Sequence, residues 1–228
     1  MKLSSRLEKV AKYINNNSFI ADVGTDHAYL PISLVKNKVI KKAIASDVGE
    51  GPLMMAQKMV DKYKMNDNID LRLGNGLNVL NVGEVDTVII AGMGGNLIAE
   101  LLEDGKEIAK SIETFIFQPM QYSEVLREYL YNNGYNIIEE SLAKEGKKYY
   151  QIIKAIHGEK ILEDPMYLFV GKELFINKDK LLKEYLKVQL DKKLNILNKI
   201  GNASNGNEKI IGKLEKEIEW YRNKISVL

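Results

Sequence analysis

The chain has no cysteine, two histidines, one tryptophan and four prolines. Without thiols there are no disulfides and no thiolate metal sites, and two imidazoles are too few for a histidine-based metal cluster. No run approaches the roughly 18 apolar residues of a membrane-spanning helix. The opening residues, Met1-Lys2-Leu3-Ser4-Ser5-Arg6-Leu7, lack the apolar core of a secretion signal. An excess of one charge is missing too. The 33 lysines and arginines face 31 acids, and a net charge of +2 selects no polyanionic partner by itself. The expectation is a soluble, cytoplasmic protein with no metal and no membrane segment. What is present, 228 residues of which 45% are hydrophobic, suffices for one α/β domain and an appendage.

Helical and extended patterns alternate along the first two thirds of the chain. Ser4 to Ile14 sets Leu7, Val10, Ala11 and Ile14 on one helical stripe, with Ser4 or Ser5 as N-cap. A short apolar strand, Ser18 to Ala21, is followed by a turn and by a helix from Leu30 to Asn37. Strands are expected at Lys42 to Asp47, Ile69 to Leu73, Thr87 to Ala91 and Thr114 to Gln118. Helices are expected at Pro52 to Lys64, Leu97 to Leu102 and Ser123 to Asn132. Thr87-Val88-Ile89-Ile90-Ala91 has the uninterrupted apolar character of a strand buried on both faces. Such a βαβ series predicts a parallel, doubly wound sheet.

From Tyr135 the pattern changes to two extended runs, Tyr135 to Leu142 and Lys148 to Ile156, which predict a hairpin at the sheet edge. An antiparallel last pair on a parallel sheet is similar to the seven-stranded sheet of S-adenosylmethionine-dependent methyltransferases. A generic edge ornament is the alternative. Beyond His157-Gly158, Leu182, Leu186, Leu190, Leu194 and Leu197 form one stripe, and Ile211, Leu214, Ile218, Tyr221, Ile225 and Leu228 form a second. Gly201 to Asn207 separates them, which predicts an antiparallel helical hairpin of coiled-coil type. The expected domains are therefore 1–157, Rossmann-like, and 158–228, helical. The second carries 14 lysines and arginines against 11 acids. A monomer is expected, and the helical hairpin is where a dimer would form.

The chemistry gathers in loops that follow strands. Asp22-Val23-Gly24-Thr25-Asp26-His27-Ala28 has one glycine where the dinucleotide fingerprint G-x-G-x-x-G wants three, and Asp26 stands at the second. A carboxylate there repels a pyrophosphate and suits a cationic ligand such as S-adenosylmethionine. Asp47 ends the second strand, where a carboxylate can bind both ribose hydroxyls. The same acid would serve an NAD-dependent oxidoreductase, which is the rival enzyme reading. An RNA-binding or coiled-coil adaptor is the non-enzyme one. Gly74-Asn75-Gly76-Leu77 places an amide where an adenine amino edge could be read, or it is simply a tight turn. Ala91-Gly92-Met93-Gly94-Gly95 leaves a bare backbone at the carboxyl end of the fourth strand, open to a ligand.

Six ordered motifs carry a resemblance. They are Ser5-Arg6-Leu7; Asp22 to Pro31; Ala45-Ser46-Asp47 with Gly51-Pro52-Leu53; Arg72 to Leu77; Ala91 to Gly95; and Gln118-Pro119-Met120. Over residues 1–157 the chain resembles the bacterial tRNA N1-methyladenine methyltransferases that modify adenine 22. That family is similar in joining a Rossmann-like catalytic domain to a C-terminal coiled-coil domain. Asn75 departs from the aspartate expected there, but keeps an acceptor.

The resemblance implies S-adenosylmethionine as cofactor and tRNA as partner. It implies cofactor contacts from Asp22, Gly24, Thr25 and His27 in the first loop, and from Asp47 and Val48 after the second strand. Asn75 and Gly76 would follow on the third strand, and Ala91, Gly92 and Met93 on the fourth. Substrate contacts would come from Arg6, Arg72, Gly94, Gly95, Gln118 and Pro119, with lysines of the C-terminal hairpin as further RNA contacts. N1 of adenine has its own lone pair, so methylation needs no strong base beforehand. Asp26 is the first candidate to stabilise the cationic product or accept a proton from N6, and Tyr29 to stack on or hydrogen-bond to the base. His27 could instead cap the following helix.

Overall fold

The computed structural model describes residues 2–201 and 208–228. In chain order the elements are α1 (Ser5–Lys12), β1 (Ile20–Val23), α2 (Tyr29–Lys36), β2 (Ala43–Asp47), α3 (Glu50–Tyr63) and β3 (Ile69–Leu73). A single 3-10 turn (Gly76–Val79) leads to β4 (Thr87–Met93), α4 (Gly95–Asp104), α5 (Lys106–Ala109), β5 (Thr114–Pro119) and α6 (Ser123–Asn132). Then come β6 (Tyr135–Glu145), β7 (Lys148–His157), α7 (Tyr167–Val170), α8 (Lys172–Ile176), α9 (Leu182–Gly201) and α10 (Glu208–Ser226).

The seven strands form one sheet in the order β3-β2-β1-β4-β5-β7-β6. β1 to β5 are parallel, and β7 runs antiparallel to both β5 and β6. This is the Rossmann-like methyltransferase fold that the alternation and the edge hairpin predict. Strand order reverses between β1 and β4, so a crevice opens at their carboxyl ends.

Alternation along the strands divides the core between the two faces. Ile20, Ile89 and Ile116 meet α1 and α2 through Val10, Leu30 and Leu34. Val88, Ile90, Phe115 and Phe117 meet α4 and α6 through Ile98, Leu102, Leu126 and Leu130. Burying each such side chain stabilises the sheet by roughly 1.5–3 kcal/mol. At the α1 end Ser4 caps the helix, its side chain accepting from the Leu7 N–H.

A charged cluster lies inside the sheet unit. Arg127 is fully buried, and its Nε and Nη2 donate to Glu140 Oε1 at 2.8 and 2.6 Å. It also donates to Gln151 and to the Leu168 carbonyl, while Glu140 Oε2 accepts the Glu173 N–H. Desolvation pushes the Glu140 carboxyl up, against the pull of Arg127.

The chain divides into two compact units, Met1–Glu173 and Leu174–Leu228. The division comes after the change of composition at His157, because the Arg127 cluster ties Leu168 and Glu173 to the sheet unit. In the second unit α9 and α10 pack on one another, and Lys193 meets Glu217 at 2.6 Å. Leu182, Leu186, Leu214, Ile218 and Tyr221 of the two stripes are buried, whereas Leu228, the last position of the second stripe, is exposed. The expected turn at Gly201 to Asn207 falls at residues 202–207, outside the described residues.

Candidate active site

The first strand runs two residues farther than its apolar run suggests. Asp22 and Val23 belong to β1, so Asp22 is a buried strand residue rather than the start of the turn. Thr25 Oγ1 donates to its Oδ2 at 2.7 Å. Desolvation nevertheless raises the Asp22 carboxyl to about 6, because burial outweighs that bond and the Arg6 charge, and neighbouring Asp47 adds repulsion. The Gly24 and Thr25 N–H groups both donate to the Ser46 carbonyl, which ties the loop to β2.

Gly24 has φ +78°, and a Cβ there would lie 2.1 Å from the Met93 methyl. Only glycine meets both conditions. Beyond it Asp26 (φ +51°) and Ala28 (φ +53°) hold the left-handed conformation, uncommon for residues with a Cβ. These two turns lift the Asp26 side chain to 73% exposure, with His27 Nε2 3.5 Å from its carboxylate. His27 does not cap α2: the N-cap is Ala28, without a side-chain bond. Its ring stacks on Tyr29 at 5.0 Å, and its buried Nδ1 has no hydrogen-bond partner among the described residues.

A cavity of about 480 Å³ lies between this loop, the start of α1 and the tip of β4. Arg6, Asp22, Thr25, Asp26, Tyr29 and Gly92 are among the residues that line it. Arg6 Nη1 donates to Gln118 Oε1 at 2.5 Å and stands 3.3 Å from where a Cβ on Gly92 would be. Gln118 is buried, and its amide nitrogen donates to the Pro119 carbonyl. Pro119 pairs with Met93 across a register shift that bends the end of β4.

Asp47 ends β2 with Oδ1 accepting the Gly49 N–H at 2.8 Å. Val48 beside it is strongly exposed, and Asn75 is exposed with no side-chain capping bond.

Other expected contacts are held by packing. Gly76 (φ +57°) is buried, and a Cβ would meet Leu101 at 2.7 Å. Gly95 donates to the Gln121 carbonyl, and a Cβ on it would lie 2.0 Å from the Tyr122 carbonyl oxygen. It is therefore a seam between two loops, while neighbouring Gly94 stays partly exposed as the N-cap of α4. Arg72 lies outside the cavity. It pairs with Glu84 at 2.5 Å and with Asp70, and donates to the Val79 carbonyl, closing the loop between β3 and β4. Arg72 holds the Glu84 carboxyl down to about 2.

Two participants carry no local signal in the sequence. The Arg6 N–H donates to Glu145, 139 residues away, and the Arg6 guanidinium lies 5.8 Å from the Tyr150 ring centre. Only strand register could place the β6–β7 hairpin there.

The residues fit S-adenosylmethionine. Asp22 and Asp47 offer carboxylates at adjacent strand ends, the unpartnered His27 Nδ1 offers a further polar contact, and Gly24 leaves the backbone bare. No group of three or more ligating side chains that could hold a metal occurs among the described residues.

Residues 3–153 match the family model described as a methyltransferase domain. The tRNA (adenine(22)-N(1))-methyltransferase of Bacillus subtilis strain 168 is 42% identical over 160 residues, 70% of this chain and 67% of that protein. The crystal structure of the B. subtilis m1A22 tRNA methyltransferase TrmK aligns with TM-score 0.87 at 34% identity, covering 98% of this chain and 99% of that one. TrmK of M. capricolum in complex with S-adenosylhomocysteine aligns with TM-score 0.83 at 33% identity, over 100% and 99% of the two chains. With these similarities set beside the acids at the strand tips and the seven-stranded sheet, the chain belongs to the tRNA (adenine-22 N1)-methyltransferase family.

Proposed function

We propose that the chain transfers the methyl group of S-adenosylmethionine to N1 of adenine 22 in tRNA, and that it does so in the cytoplasm as a monomer. The observation that carries this reading is a pair of neighbouring carboxylates on adjacent strands, Asp22 in the lining of the cavity and Asp47 at the end of β2. When bound, S-adenosylmethionine supplies an electrophilic methyl on a sulfonium.

Asp47 receives the ribose hydroxyls while Gly49 keeps it oriented. Asp22 faces the cationic methionine end, with Thr25 fixing its rotamer. Exposed Asn75 reads the adenine edge of the cofactor, and exposed Val48 offers it an apolar surface. At the mouth of the cavity, Tyr29 on its His27 support forms an aromatic ledge for the target base. Asp26, held out by the two left-handed residues, is placed to stabilise the cationic product or accept the N6 proton. Because N1 lies on the pairing edge, the base must leave its stack, at a cost of a few kcal/mol. Arg6, the cation at the β4 tip, is a phosphate anchor beside that path.

The decisive experiment incubates the protein with labelled S-adenosylmethionine and unmodified bulk tRNA, followed by nucleoside analysis. Label in 1-methyladenosine, lost when adenine 22 is replaced, is the expected result; label in any other nucleoside refutes the assignment.

The Asp22 carboxyl gives a second test. Its raised value of about 6 means that it is largely charged above pH 7 and largely neutral near pH 5. The α-ammonium that S-adenosylhomocysteine shares with S-adenosylmethionine prefers the charged form, so affinity for S-adenosylhomocysteine falls as pH drops through about 6, and binding there releases a proton. Calorimetry in buffers of differing ionisation enthalpy reads that proton directly. Asp22→Asn should weaken binding and abolish the pH step; a step that persists in this variant assigns it to another group.

A further inference from the structure

The β6–β7 hairpin reaches beyond the sheet. Phe117 of β5 pairs with Ile153 of β7, which pairs with Glu140 of β6. From that level β5 continues only to Pro119, while β6 continues to Glu145 and turns into Lys148. The hairpin therefore outruns its neighbour by three residues, about 10 Å at roughly 3.3 Å per residue. β6 is parallel to β5, so this overhang lies at the carboxyl end of the sheet, the end that carries the cavity.

The overhang is basic and aromatic. Lys144, Lys147 and Lys148 are exposed, and Lys144 sits over the Tyr149 ring at 5.2 Å. Its one acid, Glu145, is engaged in accepting the Arg6 N–H. Arg6 in turn lies over Tyr150 and bonds to Gln118 near the end of β5, beside the β4 tip. A cationic strip thus runs from the hairpin tip through Arg6 into the mouth of the site. Lys147 and Lys148 have no carboxylate partner among the described residues, and nothing approaches the Cβ direction of Gly146 between them and Glu145. A strip of this kind does not help the fold, since packed like charges repel one another.

We propose that the β6–β7 tip is an RNA-backbone contact, with Lys147 and Lys148 receiving phosphates of the tRNA whose adenine enters the cavity beside Arg6. This inference rests on the tRNA reading of the site. Phosphate contacts position a nucleic acid without reading its sequence, and each one adds to the salt dependence of binding.

The test compares the full-length chain with Lys147→Ala/Lys148→Ala by anisotropy of labelled unmodified tRNA across a salt series, alongside calorimetry with S-adenosylhomocysteine. The expected result is tRNA affinity about tenfold weaker, a salt slope about 2 smaller in magnitude and an unchanged cofactor affinity. Methylation assays should show a raised KM for tRNA with kcat retained. Equal tRNA affinity and slope in variant and parent overturn the proposal, as does a loss confined to kcat. If the parent itself binds cofactor but neither binds nor methylates tRNA, the tRNA reading falls first and this inference with it.

Discussion

Asp47→Ala weakens S-adenosylhomocysteine binding by about two orders of magnitude, the largest functional loss expected from one side chain here. A carboxylate accepting two hydroxyl protons makes charge-assisted bonds worth roughly 1.5–3 kcal/mol each, and 1.4 kcal/mol is about tenfold in affinity. Part of that is offset when water fills the vacated place. The residue also holds the Gly49 N–H at the entry of α3, so a small loss of stability accompanies the loss of binding. Asp47→Asn separates the two effects: it keeps an acceptor for Gly49 but lacks the charge, and should cost about tenfold in affinity with stability near that of the parent. Calorimetry gives the affinities and thermal unfolding the stability. An Ala variant that binds as tightly as the parent would remove Asp47 from the ribose site.

The largest structural loss is expected at Arg127, outside the cavity. Arg127→Met removes the cation from a site in which Glu140 is almost fully buried. Breaking one half of a buried pair costs about 3–5 kcal/mol, because the remaining charge is neither solvated nor compensated. In a chain of this size that lowers the melting temperature by roughly 10 °C or more. Burial already pushes the Glu140 carboxyl up, and without Arg127 it takes up a proton on folding, so the variant loses most stability at high pH. Adding Glu140→Leu should restore most of the loss. Recovery stays incomplete, since the Glu173 N–H then has no acceptor. Thermal melts of both variants at pH 6 and pH 8 check this; a single variant as stable as the parent would show that the pair is not a linchpin of the sheet edge.

The elements that local pattern makes visible are those whose cause is local. The apolar run of β4, the amphipathic stripe of α1 and the break at Tyr135 each express a periodicity of neighbouring residues, and strands and helices formed there with ends shifted by a few positions. The shift at β1 matters most: Asp22 is apolar only in its surroundings, so its place inside the strand is invisible until the sheet is assembled. Gly24 and Asp47 follow the same logic in reverse, since a turn residue and a strand-ending acid signal themselves. Gly76 and Gly95 also look like ligand glycines in the sequence, yet the space they leave is filled by Leu101 and by the Tyr122 backbone.

By itself, then, the sequence determined the α/β alternation, the sheet with its edge hairpin, the acid that ends β2 and the family the chain belongs to. Tertiary structure alone decided which basic residues are available. Arg72 is spent on Glu84 and Asp70, Arg127 on Glu140, and Arg6 is joined across 139 residues to Glu145 and turned toward the cavity. An arginine's type announces a charge, but its partner is set by strand register and by burial, which bring together groups that no local pattern relates.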